Sequence, residues 1–142
     1  MLWLIFIWFY HLESFLKFSS SCCLNCCLFL TYFFSLSSAI DFDLSENRIY
    51  WTDIKLKTIT RVFINGSDIE KIVDLGLESP EGIAFAWIAH NLYWSDTITR
   101  RIELIRIEGG SRKILVWQNL IDPKNMAVDP QRGWVSRNLF HY

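Results

Sequence analysis

A four-residue phrase occurs twice in the chain, as Tyr50-Trp51-Thr52-Asp53 and as Tyr93-Trp94-Ser95-Asp96, with the copies 43 residues apart. At the same offset Ile40 matches Ile83, Phe42 matches Phe85, Ile59 matches Ile102, Gly66 matches Gly109 and Pro80 matches Pro123. A period in the low forties belongs to propeller blades or to helical solenoids. Short runs of Tyr, Trp, Thr, Ile and Val, broken by Asn-Gly, Gly-Gly and Ser-Pro, favour strands. No stretch from Ala39 onward keeps an apolar helical period over a full helix length. The repeat region is therefore predicted to be all-β and built of four-stranded units.

The first unit is predicted to place strands over 39–43, 48–53, 58–64 and 70–73. The second repeats them over 82–86, 91–96, 101–107 and 112–117. Asn65-Gly66 is a hairpin signal, because both residues accept positive φ, and Glu108-Gly109-Gly110 turns the second unit. A third unit begins over 125–129, but Ser136 and Arg137 stand where the offset calls for Tyr and Trp. Its second strand is not expected. Three segments result: 1–38, a hydrophobic extension; 39–134, the repeats; and 135–142, a divergent tail.

The extension carries all four cysteines and most of the apolar excess of the 142-residue chain. It reads as a signal, an anchor or translated intron. Neither apolar run reaches the roughly 20 residues that span a bilayer. Phe, Leu, Ser, Cys and Tyr can all be coded by pyrimidine-rich triplets, as an intron end would be, and Val135-Ser136 fits an in-frame splice donor. The translated-intron reading fits best. Cys22, Cys23, Cys26 and Cys27 contain a C-x-x-C spacing. A zinc site wants a second ligand pair and a redox motif wants a βαβ context, and neither is present in the sequence. No metal and no cofactor are expected. A net charge of −1 argues against nucleic acid, which needs a basic footprint.

Successive strand residues face opposite sides. Tyr50 and Thr52 then share one face, and Trp51 and Asp53 the other, as Tyr93 and Ser95 oppose Trp94 and Asp96. Large aromatics at consecutive positions fit a blade covered on both faces. The hydroxyl and carboxylate at the strand end are placed to pair backbone groups of the following turn or the adjacent blade. These eight residues are assigned a structural role and no catalytic one.

The phrases, together with Asn65-Gly66-Ser67, Ser79-Pro80-Glu81-Gly82-Ile83-Ala84 and Arg101-Ile102-Glu103, resemble the YWTD propeller repeats of the low-density lipoprotein receptor family. Within it the similarity is closest to the second propeller of the Wnt co-receptor branch, the receptor-related proteins five and six. The resemblance covers roughly residues 39–134. It implies an incomplete six-bladed β-propeller, two blades and the start of a third. It also implies an extracellular place at the cell surface, as part of a membrane receptor. The implied partners are secreted proteins, Wnts or Wnt antagonists, held on the face where the loops 54–57, 76–81, 97–100 and 120–124 gather. Lys55, Lys57, Glu78, Glu81 and Arg100 are the charged candidates there. Asn65 heads a glycosylation sequon. Ala86 departs from the aspartate that Asp43 and Asp129 supply at the equivalent positions, and His90 is expected as an exposed turn residue.

Three classes of function remain at this stage. One is a receptor fragment acting by protein binding. Another is a fragment of a nidogen-like matrix propeller with a structural role. The third, a propeller enzyme, would need a metal or acid/base cluster, and the strands offer none at ligand spacing; the chain is not expected to be an enzyme. Open edges of apolar strands are aggregation templates, so residues 39–134 alone are expected to be marginal or to self-associate.

Overall fold

The computed structural model describes residues 37–129, 131 and 134–138. The cysteine cluster and nearly all of the hydrophobic extension lie outside the described residues. The strands in order are β1 (Ser37–Asp43), β2 (Arg48–Asp53), β3 (Thr58–Phe63), β4 (Glu70–Val73), β5 (Pro80–Ala86), β6 (Asn91–Asp96), β7 (Arg101–Arg106), β8 (Arg112–Val116), β9 (Asn125–Asp129) and β10 (Trp134–Asn138). β1 to β4 form one antiparallel meander, β5 to β8 a second, and β9 pairs with β10. The inner strands β1, β5 and β9 lie side by side, so the sheets stand next to one another as blades.

The expectation that the third unit lacks a second strand is overturned. β10 pairs with β9 from Trp134↔Asp129 to Asn138↔Asn125. Its register is inherited: Ser136 faces Ala127 as Tyr93 faces Ala84 and Tyr50 faces Asp41. Ladder bonds join main-chain groups that every non-proline residue carries. The strand therefore forms without the aromatic pair.

Alternation along β2 and β6 builds the main core. Tyr50, Ile59 and Val73 of the first blade meet Ile83, Phe85, Leu92 and Trp94 of the second in one buried cluster. The Tyr50 and Phe85 rings stack at 5.0 Å with 16° between planes. Trp51 leaves from the other face of the first blade and packs with Ile49 and Val62. Tyr50 thus points toward the following blade and Trp94 toward the preceding one. Tyr50 and Trp94 come from different copies and fill the same seam.

Asp41 crosses that seam. Its Oδ2 accepts the Phe85 amide at 2.6 Å, while Oδ1 accepts the Phe42 amide at 2.8 Å. Burial pushes its carboxyl above the ordinary 3.8, against the pull of those two amides. The folded chain then holds the proton more tightly than the unfolded one. Between 3.8 and the raised native value the folded state carries more protons, so stability falls as pH rises through that window. The contribution is complete below 3.8 and lost above the native value. Urea titrations of wild type and Asp41→Ala are expected to show a stability gap that shrinks as pH rises from 3.8 through the native value. A gap that widens would contradict it.

Two turns depart from expectation. Asn65-Gly66 is not a two-residue hairpin with both residues at positive φ: Gly66 (φ 83) and Asp68 (φ 56) are positive and Asn65 is not. The Asn65 side chain instead accepts the Ser67 amide at 2.9 Å and the Ser67 hydroxyl at 2.7 Å. Asn65 competes with the backbone for local donors, as short amides do. His90 is in the β5–β6 turn but half-buried rather than exposed.

Candidate ligand-binding face

An antiparallel meander puts alternate connections at opposite ends. One end gathers the β2–β3 turn (54–57), the β4–β5 crossing (74–79), the β6–β7 turn (97–100) and the β8–β9 crossing (117–124). The motif residues at the ends of β2 and β6 shape these loops. Asp53 Oδ1 accepts the Leu56 amide at 2.8 Å. Asp96, fully buried, does more: Oδ1 accepts the Ile98 and Thr99 amides at 3.1 and 2.9 Å, and Oδ2 the Glu78 and Ser79 amides at 2.7 and 3.1 Å. One carboxylate thereby fixes a turn and the crossing beside it. The Ser95 hydroxyl donates to the Lys124 carbonyl at 2.6 Å, tying the second blade to the crossing that feeds the third. Thr52 behaves differently and accepts the Ala39 amide of its own inner strand at 3.0 Å.

Asp96→Asn replaces one acceptor oxygen by a donor and leaves buried amides unpaired, at about 2 kcal/mol. Asp53→Asn strands at most one such amide and is expected to cost about half as much. Urea unfolding of the two variants checks the order.

The charged candidates divide on this face. Lys57 and Glu78 form an ion pair with each other across the turn and the crossing. Such a half-exposed pair contributes at most about 1 kcal/mol. Glu81 accepts the hydroxyls of Thr97 at 2.8 Å and Ser79 at 3.3 Å. It is absorbed in closing the crossing. Lys55 and Arg100 are exposed, with no partner among the described residues.

Sequence reasoning attended to charge and missed the apolar side chains between these groups. Leu56, Leu75, Ile98 and Ile121 are 68, 76, 66 and 71 % exposed, one from each connection at this end. A signal was present: Leu56 and Ile98 sit inside tight turns, where solvated turns carry polar residues. A second omission is the Glu103–Arg112 pair. Glu103 is 2 % exposed and accepts Arg112 through both oxygens, at 2.6 and 3.1 Å. Arg112 also donates to the carbonyls of Leu75 and Gly76 and lies 5.3 Å from the Trp94 ring. It anchors the crossing to the outer part of the second blade.

Asn65 lies in an exposed turn at the other end, away from these loops. Ala86, lacking a carboxylate, makes no counterpart of the turn bonds that Asp43 and Asp129 accept from Ser45 and Gln131.

Four-stranded meanders repeated with their inner strands side by side define a β-propeller. The chain belongs to the low-density lipoprotein receptor repeat class B family, whose profile matches residues 47–85 and 90–130. It is 52 % identical over 101 residues to low-density lipoprotein receptor-related protein 5 of Mus musculus, and equally so to that of Homo sapiens. The match takes in 70 % of this chain and 6 % of either relative, so the chain spans a small part of their length. Among solved structures, a chain of the crystal structure of a nidogen/laminin complex superimposes with TM-score 0.68 and 32 % identity, over 71 % of this chain and 38 % of that one. A chain of Kuenenia stuttgartiensis hydrazine synthase shares the fold at TM-score 0.57 and 12 % identity, over 67 % of this chain and 26 % of its own. At that identity only the architecture is common. No helix among the described residues is long and apolar enough to cross a membrane.

Proposed function

We propose that the chain acts as part of a cell-surface receptor of the low-density lipoprotein receptor-related kind, holding a secreted protein, a Wnt or a Wnt antagonist, on its loop face. It is not an enzyme in this reading. The observation that carries it is the composition of that face: exposed Leu56, Leu75, Ile98 and Ile121 interleaved with exposed Lys55 and Arg100, which have no partner among the described residues. Apolar anchors supply desolvation energy, and basic groups around them steer an acidic partner and fix register. The likeness to receptor-related protein 5 supports the receptor reading. A glycan on Asn65 would sit clear of the face, because that turn is at the opposite end of the blade.

Purified full-length chain, immobilised on a biosensor, tests the proposal. Saturable binding of a Wnt or a Wnt antagonist is the expected result. Binding of laminin with no response to either would favour the matrix role and overturn the receptor reading.

A further inference from the structure

At the end of the blades away from the loops, the β1–β2 turn meets the β5–β6 turn. Asp43 closes β1, Glu46 stands at the tip of the first turn, and His90 holds the last position of the second. One ligand atom from each lies within 4.8 Å of the other two. Asp43 is 1 % exposed. Its Oδ1 accepts the amides of Ser45 and Glu46 and the Ser45 hydroxyl. Its Oδ2 is buried with no hydrogen-bond partner among the described residues. An unpaired carboxylate oxygen in such a place is costly unless a cation satisfies it. The His90 ring is set by an edge contact with Phe85, 6.2 Å between centroids at 86°, and Phe85 is itself stacked in the seam between blades. Glu46 is exposed and 3.3 Å from Arg48 Nε. If Glu46 turns away, Arg48 keeps Asp68 at 3.0 Å and the Phe63 ring at 3.8 Å but loses the ion pair at its buried Nε, a cost that a bound cation has to offset.

We propose that Asp43, Glu46 and His90 bind a divalent transition cation of the zinc class, which clips the first blade to the second. Two carboxylates and one imidazole leave the fourth tetrahedral position to water. The imidazole selects zinc over magnesium or calcium, which take oxygen ligands. Donors about 2.0–2.2 Å from an ion stand no more than about 4.4 Å apart. The movement this asks of the exposed Glu46 side chain is small. Ligand spacing along the sequence hid the site, because His90 lies a whole blade beyond Asp43 and comes beside it only through propeller packing. The proposal is independent of the binding role given to the loop face, which is at the other end.

Equilibrium dialysis against Zn2+ tests it, using the full chain with Cys22, Cys23, Cys26 and Cys27 changed to Ser to remove competing thiolates. One zinc per chain is expected, with a thermal midpoint that rises with Zn2+ because the ion binds only the folded state. His90→Asn should abolish uptake. Asparagine suits the backbone there, since Asn47 occupies the same turn position of the first blade at φ 54 against φ 50 for His90. Glu46→Gln, at an exposed site that folding does not need, should weaken uptake by about tenfold or more. Absence of stoichiometric uptake by the cysteine-free chain overturns the site. So does uptake unchanged in both variants with the circular dichroism of wild type. If His90→Asn fails to fold, undiminished uptake by Glu46→Gln still overturns it.

Discussion

Replacing Gly82 with alanine is expected to cost about 2–6 kcal/mol, a large part of the stability of an ordinary domain. Gly82 lies in β5, which runs beside β9, and the crossing into the third blade passes directly over it. A Cβ there would lie 1.9 Å from the Lys124 carbonyl oxygen and 2.5 Å from Ser95 Oγ. The first obstacle is backbone and cannot rotate away. It also holds the Ser95 hydroxyl bond, so moving it loses that bond as well. Overpacking alone removes about 1–3 kcal/mol, and the broken buried bond about 1–3 more. The conformation of Gly82 is not the issue, since its φ is not positive. Urea unfolding followed by near-ultraviolet circular dichroism reads the result. A variant within about 1 kcal/mol of wild type would mean that the third blade does not pack where the structure puts it.

Trp94→Ala is expected to cost about 3–5 kcal/mol. Trp94 is fully buried and is the largest side chain in the seam between the first two blades. Its removal opens a cavity beneath Tyr50 and Phe85 and takes the ring from beside the Arg112 guanidinium. The surrounding strands are tied by ladder bonds and by the Asp41–Phe85 bond. They cannot close on the void, which puts the cost in the upper part of that range. Trp51→Ala, in the smaller cluster on the far side of the first blade, is expected to cost less. Equal losses would contradict the assignment of Trp94 to a shared seam.

Much of the fold was legible because a propeller repeats its physics. The spacing of the two phrases gave the blades, and the residue types gave strands. Alternation placed Tyr50 and Trp51 on opposite faces. It did not show that Tyr50 meets Trp94, the tryptophan of the other copy, because which face a neighbour covers is a fact of packing. β10 escaped because pairing there rests on main-chain groups, while the sequence signal sought was aromatic. Asp41 and Arg112 escaped because their partners, Phe85 and the Leu75 and Gly76 carbonyls, are backbone groups far along the chain. Of the loop face, Lys55, Lys57, Glu78 and Arg100 were readable as exposed, but Glu81 is half-buried against Ser79 and Thr97. That Glu78 and Lys57 spend their charge on each other was not, since they come from different connections. The apolar residues beside them were overlooked because exposure, not residue type, makes them notable.

The most direct measurement sets one end of the blades against the other. Leu56→Asp with Ile98→Asp alters the loop face, and Leu44→Asp with Trp87→Asp alters the opposite end; all four residues are exposed, at 68, 66, 74 and 53 %. Both double variants are expected to keep the circular dichroism of wild type. Binding of the full chain to a Wnt or Wnt antagonist should fall by about a hundredfold for the first pair, as for the loss of two apolar anchors, and by less than about threefold for the second. The reverse order, or equal loss from both, would contradict a propeller that presents its loops to a protein partner.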